Sequence, residues 1–199
     1  MTRKGIIYLS WREDAQVGAD LWSKYAQGVR QSGIDIVELK PSVNYGSWSG
    51  ARIEAFLTAT RIPLRLSLNT KSGMLIVPIW FEYAVGHFLS CSPDDSLLVR
   101  SLRSDSAIAF DVSSNDLPYM GVRGRGVTEC STTEDNATLV RLLDRYTAGT
   151  DNNLADWLLN RSVAEALIDI RMTWLTSWDF SSRMANIQKI SERHPGEAL

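Results

Sequence analysis

Apolar residues recur along this chain with two distinct periods. Val17, Leu21, Tyr25 and Val29 return every fourth position, which lines one stripe of a helix that Gly33 would stop. Strand-like apolar runs flank that helix, Ile6 to Trp11 before it and Ile34 to Leu39 after it. A stretch rich in Ser, Gly, Pro and Asn, from Pro41 to Gly50, then reads as a turn-rich linker. Residues 1–50 are thus expected to form a strand–helix–strand extension serving packing or a subunit contact.

From residue 51 the pattern changes. A helix is expected from Arg52 to Thr60, and then Leu64, Leu66 and Leu68 alternate with Arg65, Ser67 and Asn69, the period of a half-buried strand. Asn69 to Gly73 supplies a turn, Met74 to Tyr83 a long strand, Gly86 a hairpin and His87 to Cys91 the returning strand. A short helix from Ser96 to Ser104 precedes a strand from Ala107 to Val112. Asn115 to Pro118 turns into another strand, Tyr119 to Thr128, where Val122, Gly124 and Gly126 alternate with Arg123 and Arg125. Ser131-Thr132-Thr133-Glu134 has the spacing of a capping box and predicts a helix start, with Leu139, Leu142, Leu143 and Tyr146 as the apolar face. Asp156 to Leu159 reads as part of a further helix and Ala166 to Trp174 as the last strand. Hairpins linked by short helices indicate a mainly β, α+β architecture: an antiparallel barrel with helices at its edges.

Composition narrows the function. With 199 residues, 44% of them apolar, the chain is long enough for one substantial core, and 21 basic against 23 acidic residues give no basic footprint for nucleic acid. The longest apolar run, Met74 to Phe81, is eight residues and contains a proline, so no membrane span is expected. The amino terminus lacks a small-residue cleavage pattern, and a cytoplasmic location is expected. Two cysteines, Cys91 and Cys130, without CxxC spacing and two distant histidines, His87 and His194, argue against a disulfide framework or a metal site. No Gly-rich phosphate loop, GxSxG or HExxH is present, and no catalytic residue is assigned. His87, beside a hairpin glycine, reads as a rim histidine rather than a general base.

Four segments occur in an order that resembles a known family: GMLIVPIWF (73 to 81), HFLSCSPDDSLLVRSLRSDSAIAF (87 to 110), PYMGVRGRG (118 to 126) and SWDFS (177 to 181). The resemblance is to the pyridoxamine 5'-phosphate oxidase-like flavin-binding split barrels, over about residues 54 to 182. It implies a six-stranded split barrel spanning 51–182, a homodimer, and FMN or a deazaflavin in a groove between subunits, with residues 183–199 as a tail. Val77, Pro78, Ile79 and Trp80 resemble the strand whose backbone faces the flavin ring, and Trp178 the aromatic at the ring edge, often contributed across the dimer. Ser90, Cys91 and Ser92 fall before the phosphate-binding helix, on which Ser96 and Arg100 would approach an anion. Leu98 and Ser101 stand where the family commonly carries lysine and asparagine, and Arg65 with Arg100 could replace the missing ammonium. Arg123 and Arg125 read either as a substrate- or phosphate-facing pair or as a salt-bridged strand face.

The leading expectation is a flavin-dependent oxidoreductase acting on a small-molecule substrate. A split barrel that has lost its cofactor and serves as an interaction module, contacting partners through the amino-terminal helix, is the alternative. Haem bound through His87 is a third reading.

Overall fold

The computed structural model describes residues 6–7, 35–36, 42–84, 86–133 and 136–185. Two short strands, β1 (Ile6–Ile7) and β2 (Asp35–Ile36), pair in parallel with each other. The helix expected between them, carrying Val17, Leu21, Tyr25 and Val29, lies outside the described residues, as does the tail beyond residue 185.

The main sheet contains β3 (Ser42–Gly46), β4 (Leu64–Thr70), β5 (Gly73–Ile79), β6 (Glu82–Ala84), β7 (His87–Pro93), β8 (Ala107–Ser113), β9 (Met120–Thr133) and β10 (Glu165–Asp179). Its spatial order is β5-β4-β8-β9-β10-β7-β6, antiparallel at every pairing, with β3 added in parallel to the far end of β10. Six longer strands carry the expected barrel; β3 and β6 are short additions. Among the described residues, helices α1 (Gly50–Ala59), α2 (Leu97–Ser104), α3 (Ala137–Thr147) and α4 (Asn153–Leu159) pack around the sheet. None of them is long and apolar enough to cross a membrane.

Alternation places the core. Leu64, Leu66 and Leu68 turn inward and are essentially fully buried, where they join Phe81, Phe88 and Phe110. Phe88 meets both Phe81 and Phe110 edge-on at 5.0 Å between ring centroids, the favourable quadrupole geometry. Gly124 is required by this packing, because a β-carbon there would lie 2.5 Å from the Phe110 ring and 2.3 Å from the Trp174 carbonyl oxygen. Its neighbours are therefore protein atoms on the inner face. On the opposite face of the sheet Leu139 and Leu143 of α3 and Ala155 of α4 form a smaller cluster with Trp80 and Cys91.

Several local expectations are corrected by pairing at long range. The Pro41 to Gly50 linker contains strand β3, and Trp48 within it is 3% exposed, in the core. The strand expected from Met74 to Tyr83 breaks at Trp80 and Phe81. There the Tyr146 hydroxyl accepts from the Phe81 N–H and donates to its carbonyl, so Phe81 needs no ladder partner. The helix start read at Ser131 to Glu134 is overruled because β9 stays paired with β10 through Thr133, opposite Glu165; α3 begins later, after Asn136. For the same reason β10 extends well beyond Ala166 to Trp174.

Candidate functional site

Strand β7 delivers the chain to α2, and alternation there splits the predicted anchors between two faces. Ser90 and Ser92 point to the inner side and Cys91 to the outer one, where it joins Trp80 under α3 and α4. Ser90 is 1% exposed with its hydroxyl unpartnered, so it is a core residue rather than a groove residue. Cys91 lies against the carboxylate of Glu165; burial, with that charge nearby, pushes its thiol up to about 12. Burial likewise raises Glu165, which is held at 2.5 Å by Arg161. This thiol is protonated at neutral pH and unsuited to nucleophilic work.

Ser92 and Ser96 stay together at the head of α2. The Ser96 hydroxyl oxygen accepts from the Val99 N–H at 3.1 Å and from the Ser92 hydroxyl at 3.2 Å. Its own proton is therefore free to donate outward. Arg100, one turn on, is exposed with no carboxylate partner among the described residues. The two positions that depart from the family pattern face inward instead: Leu98 is 7% and Ser101 8% exposed, so neither projects toward an anion at the helix head. Two acids missed as site elements, Asp94 and Asp95, immediately precede the helix. Hydrogen bonds from Arg103 and Thr132 hold the Asp94 carboxyl below its usual range, and Arg103 grips it bidentately at 3.1 and 2.5 Å. Both acids were visible in the sequence; the pairing of Arg103 with Asp94 was not.

The other predicted residues gather elsewhere. Arg65 faces Pro78 across the β4–β5 ladder, and its guanidinium is committed to Asp111 (3.1 Å), the Ser113 hydroxyl (3.1 Å) and Asn115 (2.6 Å). Its guanidinium is thus paired within the chain. Val77 is half-buried, Pro78 exposed and Ile79 buried on an edge strand that pairs with β4 alone. Trp80 stacks on Tyr146 with centroids 5.1 Å apart and planes 7° from parallel. Trp178 is half-buried near the end of β10, opposite Gly121 and tilted against Phe180. That end is braced by the next residue. Hydrogen bonds from Ser181 and Trp48, with Arg52 alongside, hold the Asp179 carboxyl down to about 2.

Strand β10 measures the distance between the two groups. Ser92 pairs with Ala166 at its start, while Trp178 lies twelve residues further along, roughly 40 Å of strand contour. Within one chain, the helix-head anchors and the ring-edge tryptophan do not form one site. His87, expected at a rim, is buried, and its Nδ1 lies 2.8 Å from Asp169. Arg123 and Arg125 are exposed on the outer face of β9 and, contrary to the salt-bridged reading, neither meets a carboxylate among the described residues.

A conserved hypothetical protein of Mycobacterium tuberculosis superposes on 70% of this chain and 89% of its own, at 22% identity and a TM-score of 0.55. That likeness shows the fold alone, the α+β split-barrel architecture of a mainly antiparallel sheet with flanking helices. An F420 reductase is similar over 60% of this chain and 92% of its own (21% identity, TM-score 0.47). A Listeria innocua protein named as a candidate pyridoxamine 5'-phosphate oxidase covers 66% and 97% (12% identity, TM-score 0.48). No protein-family model and no curated protein matches the sequence.

Proposed function

We propose that this split barrel binds FMN or a related deazaflavin between two copies of the chain and serves as an oxidoreductase for a small substrate. The observation that carries the reading is the separation along β10. A flavin mononucleotide is far shorter than the contour between Ser92 and Trp178, so the helix-head anchors of one copy would be joined by Trp178 of a second. The residues at the helix head fit a phosphate: Ser96 has an uncommitted hydroxyl proton, α2 presents free backbone donors, and Arg100 supplies a guanidinium with no carboxylate partner among the described residues. Pro78 on the edge strand leaves a flat border with no N–H to satisfy. The bound ring would supply hydride or single-electron transfer. The protein's part is to position that ring and exclude water around it, which requires no acid–base dyad.

Titration with FMN followed by flavin fluorescence, with native mass spectrometry on the same sample, tests this. The expected result is one flavin per chain in a dimer, with Ser96→Ala and Arg100→Gln each weakening binding about tenfold, the loss of one charge-assisted contact. A monomer that ignores FMN and deazaflavin overturns it. That outcome would favour the cofactor-free interaction module, for which the inward Leu98 and the acids Asp94 and Asp95 before α2 are the supporting observations.

A further inference from the structure

We propose that the outer face of β9 and β10 holds the anionic group of a small aromatic substrate between Arg123 and Arg125. These two side chains leave the same face of β9 about 7 Å apart, two residues along one strand. Six other arginines (Arg52, Arg65, Arg103, Arg141, Arg161 and Arg171) each lie within 3.1 Å of a carboxylate. Among the described residues Arg123 and Arg125 have none. The acid that faces Arg123 in register, Asp111, is already bound by Arg65 at 3.1 Å and by the Ser113 hydroxyl at 2.5 Å. Trp174 stands opposite Arg125 with its ring 5.3 Å from the guanidinium carbon, which turns one wall of the site into an aromatic surface carrying positive charge.

The floor beside them is built from small residues. In register across the sheet run Ile76, Ser67, Ala109, Arg125 and Trp174. Ile76 is 67% exposed, and the two small residues between it and Arg125 leave a shallow trough with Ile76 and Arg125 about 14 Å apart, three strand spacings. A one- or two-ring aromatic acid matches that shape: its ring rests on Ser67 and Ala109 against Ile76, and its carboxylate or phosphate meets the two guanidinium forks. Trp178 lies on the same strand, four residues beyond Trp174, so a substrate anchored here would sit beside the position assigned to the flavin edge. The inference rests on the flavin reading for its redox chemistry but not for binding.

Calorimetric titration with 2-naphthoate, and with the neutral 2-naphthalenemethanol as its uncharged counterpart, separates the possibilities. The acid is expected to bind at least about tenfold more tightly than the alcohol, and Arg123→Gln or Arg125→Gln to remove about tenfold each. Lys71→Gln, which deletes the same charge from the β4–β5 turn, should change nothing. Equal binding of acid and alcohol, or arginine variants indistinguishable from wild type, overturns the proposal. So does an absence of naphthoate binding together with arginine variants that dissociate a dimer in sedimentation, which assigns the face to a second copy. Uptake of naphthoate without FMN supports this site and sinks the flavin reading; uptake of FMN without naphthoate does the reverse.

Discussion

Replacing Leu98 by lysine supplies the ammonium that similar barrels carry at this helical position, and a sequence argument would expect flavin affinity to rise. The structure predicts destabilisation instead. Leu98 is 7% exposed and packs with Val99 and Leu102 on the inner face of α2. The substitution forfeits about 2 kcal/mol of leucine burial and adds about 1 kcal/mol or more for an ammonium that must snorkel out past the helix or remain poorly solvated. A loss of about 3 kcal/mol is a large share of a typical 5–15 kcal/mol domain stability and lowers Tm by roughly 6–12 °C in a chain of this size. Urea unfolding followed by tryptophan fluorescence measures it, with Leu98→Met as the volume-conserving control, expected to lose less than about 1.5 kcal/mol. A Leu98→Lys protein as stable as wild type, especially one that gains FMN affinity, would show that residue 98 lines an anion pocket and would refute the placement of α2.

Three further outcomes follow from the geometry. Gly124→Ala drives a methyl group into the Trp174 carbonyl and the Phe110 ring and should destabilise by about 3 kcal/mol in denaturant titration; a neutral effect would mean that β9 and β10 pair differently. Because the folded-state pKa of Asp179 is depressed, its stabilising contribution is full above the unfolded carboxylate range and is lost as pH falls from about 4 toward 2. The stability gap between wild type and Asp179→Asn should accordingly be flat near neutrality and close across that acid window. With its thiol raised to about 12, Cys91 should react with a disulfide reagent roughly fifty-fold more slowly in the folded protein than in urea, since lost thiolate outweighs the greater nucleophilicity of a more basic sulfur. Fast labelling of Cys91 in Cys130→Ser would contradict its placement against Glu165.

Where a segment's structure is decided by its own pattern, the sequence was enough. Leu64, Leu66 and Leu68 alternate because β4 has one face on the core, and Ser96 caps α2 because its hydroxyl reaches the Val99 N–H three residues on. Segments decided by distant partners were not legible. Nothing near Phe81 announces that the hydroxyl of Tyr146 will serve its backbone, and the hydroxyl-rich Ser131 to Thr133 is a strand only because β10 lies beside it. The site shows the same division. Alternation alone would have separated Cys91 from Ser90 and Ser92, but the inward turn of Leu98 and Ser101 depends on which face of α2 meets the barrel. Nor could any local pattern show that Arg65 is committed to Asp111 while Arg123 and Arg125 meet no acid among the described residues.

The claim that the cofactor site is shared between copies is tested most directly by complementation. One variant carries Ser92→Ala, Ser96→Ala and Arg100→Gln; the other carries Trp178→Ala; both are first shown to be folded. Each should bind FMN weakly alone. Refolded together in equal amounts, half of the dimers would be mixed and each mixed dimer would hold one intact site, restoring about a quarter of the wild-type flavin capacity. Mixtures that bind no more FMN than the separate variants would contradict the account.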